Sequence, residues 1–294
     1  MKMLNDYCKE LFGEKVYKLS LACSRTCPNR DETKGERGCI FCSGAGSGDF
    51  AESALLPVSE QIERAKARVS AKFKGGRYIA YFQAFTSTYA PLHYLEKMFT
   101  EAIRREDIAA LSVATRPDCL DDGIYVLLAK LNKIKPVWVE LGLQTIHPST
   151  AEYIRRSYPL SDFDAAAQCL ADMGIHTIVH LILGLPGETR EDMLESVHYV
   201  CNSGAKGIKL QLLHVLEDTD LAAEYRAGKF RCMELDEYAQ LVADCVSLLP
   251  EDMVIHRLTG DGDKKILIAP EWSGDKKRVL NTVNAVLREK GLLT

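Results

Sequence analysis

Two kinds of hydrophobic pattern alternate along most of this chain. Short apolar runs of strand length are separated by longer segments whose apolar residues recur at helical spacing. The predicted strands span residues 16–22, 78–85, 110–115, 137–143, 176–183 and 207–213. The predicted helices between them span residues 57–74, 91–106, 120–132, 149–157, 161–173 and 190–203. Strands that alternate with helices in this way predict βαβ units and a parallel sheet.

The two ends of the chain extend this pattern. Residues 1–14 predict a short helix or arm, and the segment after residue 213 predicts helices at 217–227, 234–249 and 275–290 with a strand-like run at 253–258. No shift in composition marks a second independent domain. The chain has 294 residues, of which 47% are apolar and 27% are charged, and this is enough for one large α/β domain with an addition.

The predicted strands carry polar residues on one face. In the strand at 137–143, Val139 and Leu141 share one face and Glu140 lies on the other, because successive side chains alternate. The polar positions that share a face are Lys18, Ser20, Ser112, Arg116, Glu140, Gln144, His180, Lys209 and Gln211. Burying charged groups in a packed core is costly unless they are paired. A curved six-stranded sheet around a solvated, ligand-filled interior explains the set better than a tightly packed eight-stranded barrel, and structural pairing of individual members is the alternative.

The net charge and the hydropathy of the chain limit the partners and the cellular location that we expect. The formal net charge is −4, so a nucleic-acid partner would need a local basic face, for which the candidates are the stretch 64–77 and the pair Arg155–Arg156. The chain contains no run of eighteen apolar residues, so no membrane span is predicted. Its first residues, MKMLNDYCKELFG, are too polar for a signal peptide. We therefore expect a cytoplasmic protein.

Three cysteines follow the first predicted strand with the spacing C-x11-C-x2-C, at Cys27, Cys39 and Cys42. A structural zinc site normally needs four protein ligands, and neither a second C-x-x-C nor a nearby histidine supplies the fourth. A thioredoxin-like redox pair would use two of the thiols and leave Cys27 unexplained. A [4Fe–4S] cluster held by three thiolates, with one iron open to a non-protein ligand, explains all three best.

The motifs resemble those of radical S-adenosylmethionine (SAM) enzymes. The long first cysteine gap is similar to the branch that includes the Elongator catalytic subunit, as are ATRPDCL at 114–120, ELGLQTIHPST at 140–150, HLILGLPGE at 180–188 and KLQLLHVLEDTDL at 209–221. Nearly the whole chain resembles the YtqA/YhcC subgroup, through the stretches 15–42, 81–91 and 257–272. The resemblance implies a partial (βα)6 TIM-like barrel over residues 1–227, with an N-terminal arm, and a short α/β C-terminal extension over residues 228–294.

The resemblance also implies the cofactors and their ligands. Cys27, Cys39 and Cys42 would hold a [4Fe–4S] cluster whose fourth iron is chelated by SAM. The segment from Gln83 to Ser87 would position the methionine amine, and Arg116 would meet the SAM carboxylate. Glu140 and Gln144 match positions that contact SAM and its ribose. The implied SAM residues are Gln83, Thr86, Ser87, Arg116, Glu140, Gln144, His180 and Leu213. His180 also fits a hydrogen-bonded interior histidine. The candidate substrate residues are Lys209, Arg257 and Asp261, of which the last two also fit a structural ion pair.

The same resemblance points to tRNA wobble-uridine modification. The subgroup is implicated in maturing 5-carboxymethylaminomethyl-(2-thio)uridine toward the aminomethyl and methylaminomethyl forms. It implies tRNA and an external one-electron donor, such as flavodoxin or ferredoxin, as partners, and no membrane. Two other functions stay open at this point. One is a radical SAM enzyme acting on a protein or small metabolite, and the other is a non-enzymatic zinc-binding module.

Overall fold

Ten strands and ten α-helices make up the computed structural model, which describes residues 1–260 and 262–293. The strands are β1 (Lys2–Met3), β2 (Tyr17–Leu21), β3 (Tyr78–Phe82), β4 (Ile108–Thr115), β5 (Val137–Gln144), β6 (His176–Leu183), β7 (Gly207–Leu212), β8 (Val215–Leu216), β9 (Val254–Arg257) and β10 (Leu267–Ala269). The helices are α1 (Leu4–Phe12), α2 (Val58–Val69), α3 (Leu92–Ile103), α4 (Asp122–Asn132), α5 (Pro148–Tyr153), α6 (Leu160–Asp172), α7 (Arg190–Cys201), α8 (Asp220–Arg226), α9 (Leu235–Ser247) and α10 (Lys276–Glu289). Short 3-10 turns span Pro117–Cys119 and Glu271–Gly274.

Eight of the strands form one curled parallel sheet in the order β1-β9-β7-β6-β5-β4-β3-β2. This confirms the predicted partial barrel of the radical SAM type with its short α/β extension. The six predicted strands form β2 to β7, and β9 and β1 lengthen the sheet beyond β7. The hydrophobic pattern did not reveal β1, because a two-residue strand is too short to show a period.

The helices cover the outer face of the sheet. Leu19, Phe82 and Leu141 on three of the strands are completely buried in the main apolar core, together with Phe99 of α3 and Phe163 of α6. Burying a side chain of this size contributes roughly 1.5–3 kcal/mol. Because neighbouring positions on a strand face opposite sides, this packing sends the polar positions of the same strands inward.

Helix α1 closes the amino-terminal end of the sheet. Its Cys8 belongs to a buried apolar cluster with Val16, Ile79, Trp138 and Ile178, against which Leu4, Tyr7 and Phe12 of the same helix also pack. Gly13 then ends the helix in the left-handed region at φ 74°, where a side chain would be strained. Leu4 and Cys8 of this helix also line the interior, and sites in α/β folds usually lie at the opposite end, beyond the carboxyl ends of the strands.

The division into residues 1–227 and 228–294 stays a prediction. Strand β9, from the second of these segments, pairs with β7 of the first in the same parallel sheet. Helices α9 and α10 of the second segment pack against each other. Over the described ranges 1–260 and 262–293, none of the helices has the length and apolar character that crossing a membrane requires.

Candidate active site

The cysteine loop connects β2 to α2 and is held by its own polar side chains. The Arg30 guanidinium donates hydrogen bonds to the backbone carbonyls of Cys42 (2.9 Å) and Ser43 (2.6 Å). The Asn29 amide donates to the carbonyl of Arg155 (2.6 Å) and lies 3.5 Å from the Cys39 sulfur. Tight side-chain bonds to the backbone of this kind fix the path of a loop that has no regular secondary structure.

The three thiols line one cavity at the carboxyl end of β2. Burial, together with the negative charges of Cys42 and Cys27, raises the pKa of Cys39 to about 12. A structural zinc ion normally needs four protein ligands, and the loop from Cys27 to Cys42 offers three thiols and no histidine. A [4Fe–4S] cube binds each thiolate at a different iron, so these residues fit a cluster.

The cavity behind the cysteines has a volume of about 1220 Å³. Its described lining contains eleven lysines and arginines but two carboxylates, Asp49 and Glu140. The basic residues are Lys15, Lys18, Arg30, Arg68, Lys72, Arg116, Arg156, Lys209, Arg257, Lys264 and Lys276. The chain as a whole carries a net charge of −4. Glu52 and Asp118, which lie outside the lining, pair with Arg68 and Arg116, but basic groups still outnumber acidic ones and favour an anionic ligand.

Glu140 is the centre of a polar network on the floor of this cavity. Its carboxylate accepts hydrogen bonds from Lys18 (2.6 Å) and Ser112 (2.6 Å), and pairs with His180 (2.7 Å) and Lys209. Each partner comes from a different strand of the sheet, because each of these strands has one inward-facing side chain at the same height in the cavity as Glu140. The opposite charges of Lys18 and Lys209 hold the pKa of Glu140 well below its usual value, against the effect of its complete burial.

Burial also shifts the pKa values of two of the three basic partners of Glu140, namely Lys209 and His180. It lowers the pKa of Lys209 to about 7, because the positive charges of Lys18 and Arg257 act against the attraction of Glu140. Burial and Lys209 together lower the pKa of His180 to about 4. Neutral His180 must donate from Nε2, since an ionised carboxylate only accepts, and its Nδ1 then accepts from Gln211 at 3.4 Å.

Most of the predicted SAM and cluster residues line the cavity. The group comprises Cys27, Cys39, Cys42, Gln83, Thr86, Arg116, Glu140, Gln144, His180 and Leu213. Ser87 lies behind the wall and is fully buried, with its hydroxyl unpartnered among the described residues. The structure thus brings the predicted residues together, and their individual roles stay predictions.

Gln144 is the residue that best fits an absent polar ligand. It is the last residue of β5 and adopts the left-handed region at φ 69°. Its side-chain oxygen is buried and has no hydrogen-bond partner among the residues that the structure describes. Unpartnered buried polar atoms are rare in folded proteins, and strained backbone concentrates at ligand sites. The predicted contact with the SAM ribose would supply the missing partner.

Arg116 is already held by a carboxylate. Its guanidinium donates to both oxygens of Asp118 at 2.9 and 2.8 Å, and Lys34 of the cysteine loop pairs with the same carboxylate at 2.5 Å. The Arg116 guanidinium also lies 5.0 Å from the centre of the Tyr158 ring. A SAM carboxylate at this position would therefore meet a cation that is oriented in advance by Asp118.

Two of the three candidate substrate residues line the cavity. Lys209 and Arg257 both line the cavity, on β7 and β9, and Arg257 faces the same network. Asp261 lies outside the described residues. The tyrosine Tyr81 joins the pair, because Lys209 donates to its hydroxyl at 3.1 Å and the Lys18 ammonium lies 4.6 Å from its ring centre.

Sequence reasoning missed Tyr81, Arg156 and Tyr158, which also line the cavity. Tyr81 sits in the run YIAYF, whose continuous apolar character conceals an inward hydroxyl. Arg156 was predicted as part of an exposed basic face, and that prediction is wrong. It is 4% exposed, because its guanidinium donates to the carbonyls of Leu143 and Thr145.

Three thiols that fit an open metal cluster lie at the carboxyl end of a curled parallel sheet and face a large polar interior, an arrangement typical of a class of cofactor-dependent enzymes. The model of the radical SAM superfamily matches residues 23–200, and that of the radical SAM C-terminal domain matches residues 205–289. The chain belongs to the radical SAM superfamily, as the motifs predicted. It accordingly takes a [4Fe–4S] cluster and SAM as cofactors.

Several relatives match almost the full chain. Protein YtqA of Bacillus subtilis is 42% identical over 288 residues, which cover 98% of this chain and 89% of YtqA. Protein YhcC of Escherichia coli K12 is 33% identical over 295 residues, covering 99% and 94%. A tRNA uridine(34) acetyltransferase of Methanocaldococcus jannaschii is 26% identical over 163 residues, covering 54% of this chain and 29% of that protein.

Solved structures agree on the fold. The archaeal Elp3 of Methanocaldococcus infernus aligns with a TM-score of 0.68 at 19% identity, covering 80% of this chain and 60% of that one. Methylornithine synthase aligns with a TM-score of 0.58 at 13% identity, covering 98% and 86%. At these identities the likeness concerns the partial barrel alone.

Proposed function

We propose that this enzyme modifies the wobble uridine of tRNA, processing 5-carboxymethylaminomethyl-(2-thio)uridine toward the aminomethyl or methylaminomethyl form. The observation that carries the proposal is the positive charge of the cavity, with eleven basic residues against two carboxylates. Both the phosphates of an RNA and the carboxylate of this modified base are anions that such a cavity attracts. The partial similarity to a tRNA uridine(34) acetyltransferase supports tRNA as the partner.

Lys209 and Arg257 hold the substrate carboxylate in this proposal. An ammonium and a guanidinium form strong charge-assisted hydrogen bonds to carboxylates. Glu140 balances the charge of Lys18 and orients the ammonium group of Lys209. The floor of the cavity therefore keeps a net positive charge that can bind the substrate carboxylate. Burial at this level excludes competing water and strengthens the attraction, because charges interact more strongly at low dielectric.

Held by Cys27, Cys39 and Cys42, the cluster would supply with SAM a 5′-deoxyadenosyl radical, whose chemistry is hydrogen abstraction, here from the glycine-derived methylene of the modification. Loss of one further electron, to the oxidised form of a carrier of the flavodoxin or ferredoxin type, and of the N–H proton to water leaves an imine between that carbon and the amine nitrogen. Water then adds, and the carboxymethyl group leaves as glyoxylate while the aminomethyl group stays on the base. The floor residues keep the carboxylate, and with it the methylene, at one fixed position during these steps.

The test is direct conversion of modified tRNA. Protein reconstituted anaerobically with its cluster is incubated with SAM, a reductant and tRNA that carries the carboxymethylaminomethyl group, and the nucleosides are analysed by mass spectrometry. We expect the modified nucleoside to lose its carboxymethyl group with wild type but not with Cys39→Ala. Unchanged nucleoside together with active SAM cleavage would refute the proposed substrate.

A further inference from the structure

The sheet leaves one side of the barrel open. β2 forms one edge of the sheet and β1 the other, so the eight strands do not close. The cavity lining includes Arg68 and Lys72, at the end of α2 and just beyond it, and also Lys276 and Asn284 of α10. Helix α2 packs against the edge strand β2. We call the part of the cavity lining made by Lys15, Phe50, Arg68, Lys72, Lys276, Leu280 and Asn284 the lateral slot.

An aromatic ring stands open to solvent in the lateral slot. Phe50 is 44% exposed, and among the large apolar residues that the described chain exposes it is the one aromatic side chain. Its backbone carbonyl accepts a hydrogen bond from Arg68 at 2.6 Å, and Arg68 is itself paired with Glu52. The main chain at Phe50 is therefore fixed while the ring stays uncovered, which leaves a flat apolar surface for a planar ligand.

Two lysines of the lateral slot have no charged partner among the described residues. Lys15 and Lys72 are exposed, and within residues 1–260 and 262–293 neither forms a side-chain hydrogen bond or an ion pair. The carboxylate on this side of the cavity, Asp49, is engaged by the Ser43 hydroxyl at 3.0 Å. Most other basic side chains of the stretch 64–77 are paired, for example Arg64 with Glu60 and Lys66 with Asp107. Lys15 and Lys72 therefore have charge to offer to an external anion.

We propose that the lateral slot binds a single-stranded loop of RNA, with one base stacked on Phe50 and backbone phosphates at Lys15 and Lys72. Unpaired bases stack on exposed aromatic side chains, and lysines beside them neutralise the backbone, whereas a duplex keeps its bases covered. This inference rests on the proposed function, because a wobble base lies in such a loop. It adds the route by which the RNA reaches the cavity and the residues that bind the RNA.

The first test measures the aromatic contact. Anisotropy of a fluorescent anticodon stem-loop RNA is titrated with cluster-loaded protein, in wild type, Phe50→Ala and Phe50→Leu. Both variants should bind at least about 5-fold more weakly, since leucine keeps apolar area but no ring face. Leu55→Ala is the matched control, because Leu55 is 71% exposed nearby but does not line the cavity. It should bind RNA like wild type, with an unchanged unfolding midpoint in every variant.

The second test measures the phosphate contacts through salt. The double variant Lys15→Ala/Lys72→Ala should lower the slope of log affinity against log salt by about 1.4, because each single-strand phosphate contact contributes about 0.7. Lys74→Ala, an exposed lysine outside the lining, should leave the slope within error. An equal loss in Lys74→Ala would indicate diffuse attraction and would overturn the slot as the binding site.

The outcomes separate this inference from the proposed function. If wild type converts modified tRNA and the Phe50 and lysine variants bind RNA as well as wild type does, the slot is not the route and the function stands. If wild type binds no RNA at low salt, both are wrong. Displacement of the RNA by poly-glutamate at equal charge concentration would also overturn the inference, since it would mean that anions bind without a stacked base.

Discussion

The substitution Glu140→Gln removes the single negative charge that holds the floor of the cavity together. Glu140 is completely buried and bonds four side chains from four other strands. Glutamine has nearly the same shape, so the change removes charge while it creates no cavity. The amide oxygen can still accept a hydrogen bond from Lys18. The amide nitrogen is itself a donor that faces other donors, and a buried ammonium loses the negative charge that balanced it.

Removing one partner of a buried ion pair typically costs about 3–5 kcal/mol, because the other charge stays desolvated. We expect a value near the lower end, about 3 kcal/mol at pH 7.5. The reason is that Lys209, whose pKa is about 7, can lose its proton and so avoid part of the cost. At a urea dependence of roughly 3 kcal/mol per molar, the unfolding midpoint should fall by about 1 M.

The assay is urea unfolding of the cluster-loaded protein under anaerobic conditions, followed by tryptophan fluorescence. Trp138 reports on the floor directly, since the Lys18 ammonium lies 5.7 Å from its ring centre. The control is Glu60→Gln, which removes a carboxylate that is 44% exposed and paired with Arg64 on the same helix. Exposed pairs of this kind are worth about 0.3–0.5 kcal/mol.

The pH dependence provides an independent check on the same variant. The folded-state pKa of Glu140 is well below its ordinary value of 4.5, so its stabilisation is fully present above that pH and is lost as the pH falls through the folded-state pKa. The difference between wild type and Glu140→Gln should therefore shrink in acid. A Glu140→Gln cost no larger than that of Glu60→Gln at pH 7.5 would refute the network as the organising element of the floor.

Two further predictions concern the floor and the cysteine loop. Because Lys209 loses its positive charge as the pH rises through about 7, the KM for carboxylate-bearing tRNA should rise over that range in wild type and stay flat in Lys209→Met, as steady-state kinetics at several pH values would show. In the loop, Gly46→Ala should lose most bound iron, because Gly46 has φ 62° and an added Cβ would lie 2.3 Å from the Phe85 ring. Gly44→Ala, where nothing lies within 4 Å, should keep its iron in the same iron assay, and similar losses in both variants would contradict the steric argument.

The polar interior was predictable because strands alternate. The rule that neighbouring side chains face opposite sides placed Lys18, Ser112, Glu140, His180 and Lys209 on one face, and the structure joins all five in one network. What the pattern could not give was the partner of each group. Glu140 was predicted as a SAM contact, yet its four side-chain partners make it the link between five strands.

Other features of the site depend on contacts between residues far apart in the chain. Asp118 holds Arg116 from two residues away, but Lys34 joins them from the cysteine loop. The inward direction of Arg156 depends on carbonyls at the end of β5, which a run of two arginines does not reveal. Strand β1 exists because β9 offers it an edge, so no local property of Lys2 and Met3 could predict it.

The most direct test of the central claim is the metal content of the protein. Iron, sulfide and zinc are measured with an absorption spectrum on anaerobically reconstituted wild type, Cys39→Ala and the control Cys169→Ala, whose cysteine lies on α6 outside the cavity lining. We predict about four irons and four sulfides per chain in wild type and in the control, and loss of both in Cys39→Ala. Zinc without iron in wild type would contradict the open cluster and every function built on it.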